Sequence, residues 1–208
     1  MRNLLKQHFI NNINRYATLF LVFTIGVGLG AFTVNALSNV QHHELTEYLN
    51  GFLQLIDNQK VDSYEVFIIS VQQNMKLVVL LWILGVSIIG IPFIFLVVGI
   101  RGFITGFCSG FVIKTLGSKG ILFLISSVLP KEMVMVPCII ALAVNGVNFS
   151  LDIIKQKNIR SFLKSDLKIG FLTYCAATVF YSGILFGGVI LEAYAIPVIM
   201  KMIARILV

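Results

Sequence analysis

Apolar residues in this chain come in long unbroken runs, not in the short alternations that mark a soluble fold. Residues 16–37, 75–98, 133–151 and 169–191 are each predominantly apolar, and each supplies roughly the 20 positions that cross about 30 Å of hydrocarbon as a helix. Four crossings follow from these runs alone. Between the second and third runs lie two shorter ones, 103–116 and 120–129, each too short for a comfortable crossing. They predict either one long or broken helix or a re-entrant hairpin shielded from lipid by its neighbours. The expected fold is an all-α polytopic integral membrane helical bundle in a single membrane domain, 1–208. It nominally has five transmembrane helices, a broken or re-entrant middle segment and an external helical insert.

The polar segments set the expected orientation. Residues 1–15 place Leu4, Leu5, His8, Phe9 and Ile13 near helical spacing among Arg2, Lys6 and Arg15, the pattern of an amphipathic helix on the cytoplasmic headgroups. No convincing small-x-small cleavage site follows the apolar stretch 19–37, so it is expected to remain as the first helix. Residues 38–74 carry Glu44, Glu47, Asp57, Asp62 and Glu65 against the single Lys60, with Leu45, Leu49, Phe52, Leu53 and Ile56 at helical spacing. This segment predicts a small external helical cap, with a second short helix around Val66, Ile69 and Gln73. Residues 152–168 concentrate Lys155, Lys157, Arg160, Lys164 and Lys168, a strong positive-inside signal. The N-terminus and this loop are thus expected in the cytoplasm and 38–74 outside. The tail 192–208 is expected on the external surface, with Ile196, Ile199, Ile203 and Leu207 on one side and Lys201 and Arg205 on the other.

Small residues mark where helices can approach closely. Gly99, Gly102, Gly106 and Gly110 recur beside Arg101, and Gly26 and Gly30 form a second small-xxx-small pair. Both sets are candidate helix-packing or partner-binding faces, and a possible homodimer through either is one consequence. For Gly26 and Gly30, the ordinary glycine enrichment of a membrane helix is an equal reading. Gly90-Ile-Pro92 predicts a kink within the second helix. Arg101 is expected near the cytoplasmic boundary, where a guanidinium can snorkel to the headgroups. Lys131 and Glu132, between Pro130 and Pro137, form a candidate polar site. They either mark a cavity or lie at a membrane surface, and the surface is the simpler reading.

Composition narrows the chemistry. The chain has 208 residues, 58% hydrophobic and 12% charged, too apolar for a soluble core of this size. Its formal charge of +7 reports loop placement and does not point to nucleic acid. Cys108, Cys138 and Cys175 lie in apolar stretches without paired spacing, which indicates neither a zinc site nor a disulfide framework. His42-His43-Glu44 with Glu47 tests weakly for metal, because adjacent histidines on a helix point about 100° apart. Gly-x-Ser-x-Gly, phosphate-loop and His-Glu-x-x-His signatures are absent, so neither a catalytic site nor a cofactor is expected. An enzyme would have to assemble its residues from Arg101, Lys131, Glu132 and Tyr174 or Tyr181.

The order of these features resembles the stage II sporulation protein M family. The features are the basic amphipathic start, the glycine-bearing first helix, the acidic insert, Arg101-Gly102 before a glycine-rich segment, Leu129-Pro130, and the basic loop before the last helix. The resemblance covers essentially the whole chain. Distant relatives often carry Leu-Pro followed by His-Gly and a nearby Glu, whereas this chain has Leu129-Pro-Lys-Glu132, so no role of that histidine passes to Lys131. The resemblance implies a multi-pass cell-membrane protein of engulfment that gathers two peptidoglycan hydrolases, sporulation proteins D and P, and carries no hydrolytic site. The competing expectation is a transporter or permease subunit, motivated by the interrupted helices, which predicts a polar mid-membrane cavity containing Arg101 or Glu132.

Overall fold

The structure, a computed structural model, describes residues 12–58, 63–158 and 164–199. The amphipathic start before residue 12, part of the basic loop and the tail from residue 200 lie outside the described residues. Helix α1, Ile13–Thr33, ends in a 3-10 turn, Val34–Ala36, and is followed by α2, Asn39–Asn58. Next come α3, Ser63–Val86, and α4, Gly90–Leu116. The short α5, Ser118–Phe123, passes through a π-turn, Leu124–Val128, into α6, Leu129–Asn158. The last helix, α7, Lys164–Ile190, runs into a second π-turn, Leu191–Ala195, beyond which the stretch stays helical to Ile199. No strand occurs among the described residues, and five stretches are long and apolar enough to cross a membrane.

Two crossings are partitioned differently from the expectation. The run 75–98 is not one kinked helix: α3 ends at Val86, the chain reverses over Ser87–Ile89, and α4 starts at Gly90. The reversal is tight enough that a Cβ on Gly90 would strike the Leu84 carbonyl. Pro92 then falls in the first turn of α4, where its missing N–H has no intrahelical partner to lose. Ser150 Oγ, fully buried on α6, donates to the carbonyls of Gly85 at 2.7 Å and Ser87 at 3.1 Å, satisfying the end of α3. Replacing Ser150 with Ala removes the side-chain donor from the Gly85 carbonyl, while the Ser87 carbonyl keeps the Gly90 N–H at 3.0 Å, and a loss of about 1–2 kcal/mol is expected in detergent unfolding. The remainder of that run joins 103–116 as the single helix α4. The run 120–129 instead joins 133–151 through the π-turn, so the middle of the chain is a broken crossing and not a re-entrant hairpin. The second short helix expected around Val66 is the continuous first half of α3.

The stretch through α5 and α6, Ser118–Ile154, is the axis of the bundle. Its apolar window is 67% buried, against 22–28% in the other four crossings. Met135, Ile139, Ala143, Val144 and Val147 project from it into one core with Leu19 of α1, Leu81 of α3, Ile94 of α4 and Leu185 of α7. The other helices turn large apolar side chains outward, among them Phe20, Leu29, Leu96, Leu172 and Val179, as a lipid-facing surface requires. At one end α2 lies across the bundle: the His42 ring is 5.5 Å from that of Phe111, and Leu49 packs against buried Phe123.

The closest helix pair is α1 with α4. Cβ atoms built on Gly26 and Gly30 would collide with the backbones of Gly99 and Phe103, and those built on Gly102 and Gly106 with the carbonyls of Phe23 and Val27. A Cβ on Gly110 would lie 3.0 Å from Ala31 Cα. Contact positions advance together along both helices, so the pair is parallel. The two glycine faces considered for homodimerisation cover each other within one chain. Gly99 differs in that its Cβ would meet only Val22 Cγ1, at 3.4 Å.

Candidate functional site

Once α4 starts at Gly90, Arg101 lies eleven residues from one end of its helix and fifteen from the other. At 1.5 Å per residue this is about 16 Å and 22 Å from the ends, toward the middle of the helix and not at the helix end where snorkelling was expected. Gly102 and Gly106 hold α4 against α1, and Arg101, one position off that seam, reaches α6. Its Nη2 lies 3.5 Å from Glu132 Oε1. Beside it Lys131 Nζ donates to Glu192 Oε1 at 2.5 Å. The side chains retain exposures of 24% and 16% for the first pair and 24% and 19% for the second, so all four are largely withdrawn from the surface. Lys131, Glu132 and Glu192 all fall inside helical stretches long and apolar enough to cross a membrane, Ser118–Ile154 for the first two and Lys168–Ile199 for the third.

Two cations and two carboxylates make the cluster neutral, which is how charges persist inside a bilayer. Not every valence is used. Arg101 Nε and Glu132 Oε2 are buried without a hydrogen-bond partner among the described residues. Arg101, Lys131 and Glu192 line a cavity of about 280 Å³ that Gln73 and Asn74 of α3 also border.

Local sequence accounts for the helix irregularities at this site. Pro130 cannot donate to the carbonyl four residues back and its ring crowds that group, and the π-turn Leu124–Val128 sits immediately before it. The second π-turn, Leu191–Ala195, likewise precedes Pro197. The first widened turn ends three residues before Lys131 and the second contains Glu192, a setting common for π-bulges at functional positions.

Of the expected site residues, Arg101, Lys131 and Glu132 come together, while the six glycines line the α1–α4 seam at varying closeness. Tyr174 and Tyr181 do not join the charges. Tyr174 donates to the Trp82 carbonyl at 3.0 Å and stacks on Phe149 at 4.6 Å, and Tyr181 packs against the apolar core. His43 pairs with Glu47 at 3.3 Å on the exposed face of α2. Sequence reasoning missed Glu192, Gln73 and Asn74. For Glu192 a signal existed: it is a lone acid in an apolar run that continues past Pro197 to Met200.

The arrangement as a whole, a glycine seam, a central interrupted crossing and an acid-bearing last helix, falls within the residues that a family model matches. That model describes stage II sporulation protein M and matches residues 19–197. The chain belongs to the stage II sporulation protein M family. The match runs from α1 through the second π-turn and takes in all four charged residues. Comparison with curated proteins returns no match, and neither does comparison with solved structures. In this member of the family, the intramembrane charges can clamp α4, α6 and the end of α7 to one another.

Proposed function

We propose that this stage II sporulation protein M family member is a non-enzymatic membrane scaffold that gathers the peptidoglycan hydrolases of engulfment, sporulation proteins D and P, at the sporulation septum. The family match over residues 19–197 is the observation that carries this reading. The bundle suits the task in two ways: it offers a broad lipid-facing apolar surface to single-span anchors, and α2 extends beyond the crossings. The excess of Lys and Arg in 152–168 supports a cytoplasmic loop, which puts α2 on the wall side in this reading. The full chain is expected to co-purify in mild detergent with full-length D and P proteins, and its deletion to disperse them from the septum. Failure to retain either partner, with their localisation unchanged on deletion, overturns the reading.

The cavity bordered by Arg101, Lys131 and Glu192 favours a second reading, a transporter-like subunit. Under that reading Arg101→Gln and Glu132→Gln abolish function while leaving D and P retained. Under the scaffold reading partner retention and function fall together.

A further inference from the structure

Lys76 is an intramembrane cation that the neutral cluster leaves unbalanced. It lies thirteen residues after Ser63 and ten before Val86 in α3, about 20 Å and 15 Å from the helix ends. The residue is exposed, and it makes no ion pair among the described residues. An uncompensated ammonium facing lipid at this depth is costly.

Beside it runs a groove between the antiparallel α3 and α4. It is the apolar flank of the cavity already described: Leu77 and Leu80 form one wall and Val97, Ile100 and Ile104 the other, with Arg101, Lys131 and Glu192 in the same lining. The α4 wall repeats every three or four residues over two helical turns and the α3 wall over one, the shape that accepts another helix lying along them. Gln73, Lys76 and Leu80 follow the same spacing, so Lys76 stands on the lip of the groove.

We propose that this groove seats a membrane-spanning helix of another protein that carries a carboxylate at mid-membrane, paired with Lys76. Charge selects this occupant. Arg101 and Lys131 are already balanced by Glu132 and Glu192, so Lys76 leaves one positive charge that an apolar helix or an acyl chain fills around without relieving. A second copy of this chain does not supply the acid, since Glu132 and Glu192 are committed to their own pairs. The site deepens the scaffold reading, on which it rests for the kind of partner, by naming how an anchor is held.

The probe is a labelled leucine-rich single-span helix with one central Asp or a central Leu, reconstituted with the full chain in phosphatidylcholine bilayers and followed by energy transfer. The Asp helix is expected to bind roughly tenfold more tightly than the Leu helix. Lys76→Met brings the two to equal affinity, and Lys76→Glu shifts the preference to a helix with a central Lys. Leu80→Trp and Ile104→Trp, both at exposed positions, obstruct the groove and weaken binding at an unchanged melting temperature. Equal binding of Asp and Leu helices, Asp binding indifferent to Lys76→Met, or binding indifferent to both tryptophans overturns the site and leaves the groove to lipid. If hydrolases D and P are retained equally by wild type and Leu80→Trp, the scaffold reading stands and the groove is not their anchor. If the Asp helix binds while the hydrolases are not retained, the groove stands and the scaffold reading falls.

Discussion

Gly106→Leu is expected to prevent stable packing of the bundle, with a loss of at least about 3 kcal/mol, because overpacking here meets backbone and not a pliable side chain. Its Cβ alone would lie 2.7 Å from Val27 Cα and closer still to the Val27 carbonyl oxygen. Gly30→Leu meets the backbone of Phe103 and Phe107 and is expected to behave the same way. Neither helix can yield locally. The contacts recur one turn apart along the whole parallel seam, so relief at one position means separating α1 from α4 over its length. Gly28→Leu is the matched control on the same helix, since nothing lies within 4 Å of its Cβ, and it is expected to shift the melting temperature by little. Gly99→Ala, with only an ordinary contact ahead of it, belongs with the control. Thermal unfolding in detergent, read by aggregation or protease sensitivity, separates the two groups. Similar losses at Gly28 and Gly106 would mean that helix propensity, not the seam, sets the cost.

Breaking one intramembrane ion pair should matter nearly as much, and breaking it symmetrically much less. Lys131→Met leaves the Glu192 carboxylate withdrawn from water and without its cation, a change of about 3–5 kcal/mol for buried pairs. The double replacement Lys131→Met and Glu192→Met removes both charges and restores packing volume, so most of the loss is expected to return. The comparison is a melting-temperature series of the two single variants and the double. If the double variant is as unstable as the sum of the singles, the pair is not coupled and the 2.5 Å contact contributes nothing specific. Because Arg101–Glu132 is a separate and longer pair, Glu132→Gln is expected to cost less than Lys131→Met.

These two predictions show where sequence reasoning reached and where it stopped. The glycines at 26, 30, 102, 106 and 110 were legible as close-approach positions because spacing of four on a helix exposes backbone whatever the partner is. Which partner they meet was not legible: two small-residue faces read equally well as two homodimer surfaces or as one internal seam. The Arg101 assignment failed for a different reason. Hydropathy is continuous across Ser87–Ile89, so the chain reversal there resembles a kink, and residues 90–98 read as the end of the preceding helix. The reversal depends on Ser150 from a crossing some sixty residues later supplying its hydroxyl donor to the end of α3, and no local pattern announces that.

Taken alone, the sequence determined the membrane class, the all-α fold, five crossings, the family resemblance and the residues capable of close packing or of charge. Each of these depends on composition or on periodicity within one segment, which the chain carries in any conformation. The tertiary structure decided the boundaries of the middle crossings, the pairing of α1 with α4, the central place of α6 and the meeting of Arg101 with Glu132 and of Lys131 with Glu192. Those depend on which distant segments satisfy one another's backbone and charge in a medium that offers no water to do it.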